Sequence, residues 1–222
     1  MININFIALI ISFLFVFLII ILGTILEKKK IVSKEGSRKF VHISVANWWF
    51  IYMFMFNNIL YALIPPITFI ILNIFSYKYK IIDSMERDNS DSLGTIYYPI
   101  SLLFLVIISY LIKDKIISGI GILILGYGDG LAALVGKKYN KIKLLNNKTL
   151  FGTLTMFIIS TIISTIFLIV FKDLKTITLI LVVFITAVSA TILELFTKKG
   201  LDNLTIPIGV TIILYLLLNV II

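Results

Sequence analysis

The sequence predicts an all-α fold, a polytopic transmembrane helical bundle, and three observations carry that prediction. The 222 residues are 60% hydrophobic with a mean hydropathy of +1.11, far above a water-soluble domain. Apolar runs close to the roughly 20 residues that cross a bilayer as a helix recur from end to end. The charged residues gather in short stretches between those runs. No soluble segment, linker, low-complexity tract or convincing internal repeat interrupts the pattern, so residues 1–222 read as one integral-membrane domain.

By length and composition there are eight spans, at roughly 3–26, 40–56, 59–76, 95–112, 116–136, 151–171, 175–195 and 204–222. The second and third are short and are parted only by Asn57-Asn58. The first does not read as a cleaved leader, because it lacks a basic start and ends in Glu27-Lys28-Lys29-Lys30. Charge sets the expected orientation. With the N-terminus outside, 16 of the 20 basic residues fall in cytoplasmic loops, and only Lys113, Lys115, Lys172 and Lys175 lie outside. Of the 11 acids only Asp114 and Asp173 lie outside. The expected location is therefore the cell membrane, multi-pass, with the polar chemistry on the cytoplasmic face.

Composition also excludes classes. There is no cysteine, hence no disulfide framework and no thiolate metal site. The single histidine, His42, rules out a multi-histidine site within one chain. The net charge of +9 sits in interhelical loops and fits topology better than a nucleic-acid surface, so no nucleic-acid partner is expected; a homodimer is compatible with the pattern.

The chemistry centres on the stretch 126–152. Asp129 is an acid inside an apolar run, about 12 Å below the cytoplasmic end marked by Lys137. A carboxylate at that depth is costly unless water, a partner or a metal reaches it, so it reads as a site residue first and a helix-packing acid second. Gly128, Ala132 and Gly136 repeat every four residues, as do Gly126 and Gly130, leaving two faces without bulk for a neighbouring helix or a ligand. Five lysines follow: Lys137, Lys138, Lys141, Lys143 and Lys148. Most suit a loop on anionic lipid, but Lys148-Thr149 stands just before the sixth span, where free amides and the helix dipole favour phosphate. The spacing of a P-loop is absent.

Other candidates are weaker singly. Arg38 and His42 share a helical face at the start of the second span, and a cation pair there suits a phosphate. The stretch 83–91 is the one acid-rich loop and includes Glu86 and Arg87. Glu194 and Asp202 lie near the cytoplasmic ends of the seventh and eighth spans, and either could join Asp129 on a metal; Mg²⁺ usually takes one or two protein carboxylates plus phosphates and water. Asp202 could equally be no more than a helix cap.

Taken together these pieces resemble the CTP-dependent lipid kinases: dolichol, phytol and polyprenol kinases and the CTP-dependent diacylglycerol kinase. The matching residues are Arg38-Lys39-x-x-His42, Glu86-Arg87 with Gly94-Thr95-x-Tyr97-Tyr98, Gly128-Asp129-x-x-Ala132-x-x-x-Gly136, Lys148-Thr149-x-x-Gly152-Thr153, and Glu194 with Asp202-Asn203-Leu204-Thr205-x-Pro207. The part from Asp129 to Gly152 is also similar to phosphatidate cytidylyltransferase. Both families usually carry a Glu where this chain has Phe151. The resemblance implies transfer of the γ-phosphate of CTP to a membrane lipid alcohol, with Mg²⁺ as cofactor. It implies Asp129, His42 and Lys148 as catalytic residues, with His42 and Asp129 both eligible as general base. It implies nucleotide binding by Arg38, Lys39, Gly128, Lys137, Lys138, Lys148, Thr149, Gly152 and Thr153. Metal binding would fall to Asp129, Glu194 and Asp202, and the lipid to His42, Tyr97 and Tyr98. The rival readings are CDP-lipid synthesis at the same site and a carrier built around Asp129.

The cysteine-free chain makes the orientation testable. A single cysteine at Lys141 should react with a membrane-impermeant maleimide only from the cytoplasmic side, and one at Lys113 only from outside; the reverse pattern would invert the topology.

Overall fold

Helix starts are written in side chains that accept from free amides. The computed structural model describes residues 3–79, 93–198 and 200–221. Asn3 caps α1 (Ile4–Lys28), Ser33 caps α2 (Lys34–Ala46), Asp114 caps α6 (Lys115–Leu123) and Thr149 caps α8 (Leu150–Phe171). Between them lie α3 (Trp48–Met55), α4 (Ile59–Tyr79) and α5 (Gly94–Leu111). A π-helical turn, Ile124–Asp129, joins α6 to α7 (Gly130–Lys138), and α9 (Thr176–Phe196) and α10 (Asp202–Ile221) complete the chain. The described residues contain no strand beyond an isolated bridge between Lys143 and Thr149. The acid-rich stretch 83–91, with Glu86 and Arg87, lies outside the described residues, as do Lys80 and Lys199.

Among the described residues, seven helices are each long and apolar enough to cross a membrane, with α6, the π turn and α7 counting as one. The expected second span, 40–56, is not a single helix. It begins earlier, at Lys34, and breaks at Asn47, whose amide donates to the carbonyls of Ile43 (3.4 Å) and Ser44 (3.1 Å). Those bonds satisfy carbonyls that a continuous helix would have bonded with backbone amides. The α2–α3 pair nevertheless runs the length of its neighbour. At one end Ser37 Oγ donates to the Gly23 carbonyl (2.7 Å), and at the other the amides of Asn57 and Asn58 donate to Asn5 Oδ1 (2.9 and 3.1 Å). Asn5 and Gly23 lie about 27 Å apart along α1, close to the thickness of a hydrocarbon core.

Each end of the bundle has its own polar cluster. At the Asn57 end, Lys115 Nζ donates to the carbonyls of Phe56 (2.6 Å), Tyr52 (3.2 Å) and Met53 (3.4 Å), closing the C-terminus of α3. Lys172 pairs with Asp114 beside it. Asp129, Lys148 and most of the basic loops lie towards the other end.

The span formed by α6, the π turn and α7 is the central one, with 78% of its apolar window buried. Its small residues are occupied by neighbouring helices. A Cβ on Gly126 would stand 2.3 Å from Ala46 Cβ, and one on Gly130 would stand 2.3 Å from Ile43 Cγ1, so α2 lies directly on that face. The other face meets α8: a Cβ on Gly128 would strike Met156 Sδ at 2.6 Å, and one on Gly136 would strike Thr149 Oγ1 at 2.6 Å. Both small-residue repeats are therefore helix-packing seams, the means by which membrane helices approach closely.

The seam with α10 offers a stability test. A Cβ on Gly121 would lie 2.5 Å from the Pro207 carbonyl oxygen, which cannot yield, whereas one on Gly209 meets the flexible Leu193 Cδ1 at 2.7 Å. Gly121→Ala should cost about 1–3 kcal/mol in thermal unfolding in detergent, and Gly209→Ala clearly less. Equal losses would remove the packing account.

Candidate active site

The π turn gives Asp129 its setting. Such turns concentrate at functional sites, and nothing in the local sequence marks this one. Asp129 is 5% exposed. Its Oδ2 accepts from Lys39 Nζ at 2.6 Å and lies 3.5 Å from His42 Nε2. Lys39 is itself 3% exposed, so this is a buried ion pair reached because α2 sits on the glycine seam. His42 Nε2 also lies 3.3 Å from the Leu125 carbonyl inside the π turn. Leu125 O and Asp129 Oδ2 are both acceptors, so the ring carries its proton on Nε2 and keeps Nδ1 as the acceptor.

Lys148 arrives from the far side. Its Nζ is 2.5 Å from Glu194 Oε1, 3.8 Å from Asp202 Oδ2 and 4.0 Å from Asp129 Oδ1. The loop before α8 fixes this position. Asn146 and Asn147 adopt left-handed backbone (φ 52° and 59°), and the Asn146 amide donates to the carbonyls of Leu195 and Phe196, both at 3.1 Å. Lys148 is thereby held at the end of α9, where Glu194 stands. Burial pulls its ammonium down, but Asp129, Glu194 and Asp202 outweigh that and hold it above the ordinary lysine range. It is charged at physiological pH.

Two cavities lie on either side of the His42–Asp129 contact, His42 lining one and Asp129 the other. The polar one encloses about 1350 Å³, including its open mouth, and is lined by Lys39, Asp129, Lys137, Lys148, Thr149, Gly152, Glu194 and Asp202 among others. The second is a narrow groove between α1, α2, α4 and α5, about 810 Å³ with its open mouth included. It is apolar along Val16, Ile20, Val45, Trp48, Pro65, Pro66, Phe69 and Leu102, and polar at the end with Arg38, His42, Asn73 and Asn203.

The predicted residues divide between these spaces. Asp129, Lys39, Lys137, Lys148, Thr149, Gly152, Glu194 and Asp202 line the polar cavity. Arg38 does not: it is bound to Glu35 (2.6 and 2.9 Å) and lines the groove with His42. The expected Arg38–His42 face exists, but it is Lys39 that turns to the carboxylate. Tyr98 lines the groove, donates to the His42 carbonyl (3.2 Å) and sets its ring edge-on to the imidazole at 4.9 Å. Tyr97 lines neither space, and Lys138 lies over the Tyr139 ring at 5.4 Å. Gly128 packs on Met156, and the buried Thr153 hydroxyl lines neither cavity. Phe151, where the resemblance leads one to expect Glu, is exposed and packs on Tyr139 (5.7 Å) outside the polar cavity. Asn73, which donates to the Thr95 carbonyl (2.8 Å), was missed; a lone amide in an apolar run was its signal.

The donor set fits a divalent cation. Asp129, Glu194 and Asp202 set three carboxylates against the two ammoniums of Lys39 and Lys148, leaving one negative charge, and Glu194 Oε2 is buried without a hydrogen-bond partner among the described residues. Among the described residues no three acids or histidines already form a common metal cage; the carboxylates gather around the Lys148 ammonium instead. One or two protein carboxylates suffice for Mg²⁺ when phosphates complete the shell.

A membrane bundle that sets an apolar groove against a buried, lysine-bound carboxylate has the layout of an enzyme acting on a membrane lipid. The chain is 30% identical over 203 residues to the phytol kinase of Synechocystis sp., covering 88% of this chain and 84% of that protein. It is 25% identical over 208 residues to the probable chloroplastic phytol kinase 2 of Glycine max (87% and 69%), and 25% identical over 215 residues to the probable chloroplastic phytol kinase of Zea mays (87% and 70%). The chain belongs to this lipid kinase family, as its motifs implied. No protein-family model and no solved structure matches it.

The Lys39–Asp129 pair is testable by a double-mutant cycle. Lys39→Met should destabilise by about 3–5 kcal/mol because it strips a buried charge of its partner. Adding Asp129→Asn should recover most of that loss; strictly additive losses would show that the two do not pair.

Proposed function

We propose that this protein is a CTP-dependent kinase that moves the γ-phosphate of CTP to the hydroxyl of an isoprenoid alcohol of the phytol or polyprenol type, with Mg²⁺ as cofactor. One observation carries the reading: His42, which lines the apolar groove, and Asp129, which lines the polar cavity, stand 3.5 Å apart. A lipid tail in the groove brings its hydroxyl to His42, and a triphosphate in the cavity brings its terminal phosphorus to the same place from the other side. The named activity of the relatives supports the isoprenoid acceptor. CTP rests on the family resemblance. The cavity lies towards the end of the bundle that carries most of the basic residues, so we place it on the cytoplasmic face of the cell membrane.

Phosphoryl transfer needs in-line placement and neutralised charge more than covalent help. The alcohol oxygen forms the new bond to phosphorus as the bond to the departing CDP breaks. The hydroxyl proton passes to His42 Nδ1, and the resulting imidazolium faces the Asp129 carboxylate through Nε2. Tyr98 holds the ring in that orientation. Lys39 keeps Asp129 ionised and fixed. Lys148 and the Thr149 helix start lie beside the phosphates and offset the charge that develops on them. Mg²⁺ held by Asp129 with Glu194 or Asp202 would supply charge neutralisation on the phosphate oxygens.

Purified protein in detergent, given labelled CTP and a panel of phytol, geranylgeraniol, undecaprenol, dolichol and diacylglycerol, tests this. The γ-label should pass to an isoprenoid alcohol and the α-label should not. Transfer of the α-label would make the enzyme a cytidylyltransferase, and no lipid-dependent turnover with any alcohol would favour a carrier. Asp129→Asn should abolish turnover in a folded protein. Lys148→Ala should cost roughly 2–4 kcal/mol in kcat/KM, the scale of losing one charge-stabilising donor.

A further inference from the structure

The two lysines of the polar cavity are held in different ways. Lys39 gives its ammonium to one residue, Asp129, through Oδ2 at 2.6 Å and the carbonyl at 3.5 Å. Lys148 is shared. Its Nζ stands 2.5 Å from Glu194 Oε1, 3.8 Å from Asp202 Oδ2 and 4.0 Å from Asp129 Oδ1. The three oxygens come from three separate segments, α9, α10 and the π turn, and converge on one ammonium. Two of these carboxylates have their other oxygen engaged elsewhere. Asp129 Oδ2 is on Lys39, and Asp202 Oδ1 accepts from the amides of Gly200 (3.0 Å) and Asn203 (3.1 Å). The backbone of Lys148 is fixed on both sides: its N–H donates to the Leu145 carbonyl (3.0 Å), and its carbonyl accepts from the Leu144 N–H (2.7 Å). Its side chain has more freedom, since it lines the polar cavity, is 17% exposed and rides on a flexible four-carbon stem.

We infer that Lys148 holds the place of a divalent cation in the nucleotide-free protein and gives it up only when a triphosphate enters the cavity. The triphosphate rests on the kinase reading above. Three converging carboxylate oxygens suit a hard divalent cation, which binds oxygen directly. An ammonium among the same oxygens blocks that approach by its bulk and by its charge. The balance of charge agrees. With Lys148 in place, three carboxylates against two ammoniums leave one negative charge; with Lys148 withdrawn they leave two, which one divalent cation cancels. A triphosphate offers the ammonium several charged oxygens at once, and the stem lets it turn to them without moving the backbone. Lys39 stays on Asp129 throughout. Cation and nucleotide therefore load together, and free cation does not fill the empty site.

The test titrates Mn²⁺, an oxygen-seeking probe cation, against the purified full chain in detergent. Free Mn²⁺ is followed by electron spin resonance, and the unfolding temperature is recorded in parallel. The wild-type protein should bind Mn²⁺ weakly alone and tightly once CTP is added. Lys148→Met, which keeps the stem and removes the charge, should bind Mn²⁺ without CTP about tenfold tighter than the wild type, or more, and be stabilised by it. Lys148→Gln, which can still donate to Glu194, should do the same and serves should Lys148→Met fold poorly. Lys148→Arg, which restores the charge, should exclude Mn²⁺ as the wild type does. Tight Mn²⁺ binding by the wild type without nucleotide, or equally weak binding by both neutral variants, overturns the inference, and transfer of the γ-label to an alcohol by that same wild-type protein leaves the kinase reading standing. The expected binding pattern without transfer of label to any alcohol overturns the kinase reading and keeps the role of Lys148.

Discussion

The ion pair between Lys39 and Asp129 is the constraint on which the rest of the site depends. Both side chains are nearly fully buried in a bundle whose surroundings are hydrocarbon, and an isolated carboxylate there would be intolerable. The pair exists because α2 can lie against the central span. That approach requires glycine at 126 and 130, where a methyl group would overlap Ala46 and Ile43. Helix packing and site electrostatics are thus one requirement met twice: the seam that lets the helices touch also carries the cation to the anion. His42, three residues beyond Lys39, reaches the same carboxylate as a consequence.

A second set of contacts imposes order from the other side. Glycines 136 and 152 let α7 and α8 close on each other around the Thr149 cap, and the Asn146 amide ties the preceding loop to the end of α9. Lys148 is the result, a lysine that three carboxylates compete for. Among the described residues its neighbourhood sets three carboxylates against two ammoniums and leaves one carboxylate oxygen without a partner. Such an arrangement is poor as a purely structural device, because buried ion pairs seldom repay their desolvation. It suits a pocket that trades partners when a polyanion and its counterion arrive.

The division of labour between the two cavities follows from helix geometry. Successive residues on a helix point about 100° apart. On α2, Arg38 and His42 face the groove while Lys39 faces the polar cavity. One helix therefore presents one set of side chains to the apolar groove and another to the polar cavity. Asn47 breaks the crossing just beyond, and Trp48 begins the next helix at the inner end of the groove.

Much of this was legible in one dimension. Apolar run lengths give the crossings, because a bilayer has a fixed thickness; the depth of Asp129 and the place of Lys148-Thr149 before a helix depend only on neighbours along the chain. Lys148 and the acids at 194 and 202 were legible as candidates for the same reason. What the residues alone left open was which side of each helix meets which neighbour. Arg38 and Lys39 are adjacent cations, and no local property says that the second, not the first, reaches the carboxylate. The glycine repeats read equally well as ligand room or helix seam until α2 and α8 were seen to fill them. The π turn and the break at Asn47 were equally out of reach. Each depends on contacts between residues tens of positions apart, and only the packed bundle brings those together.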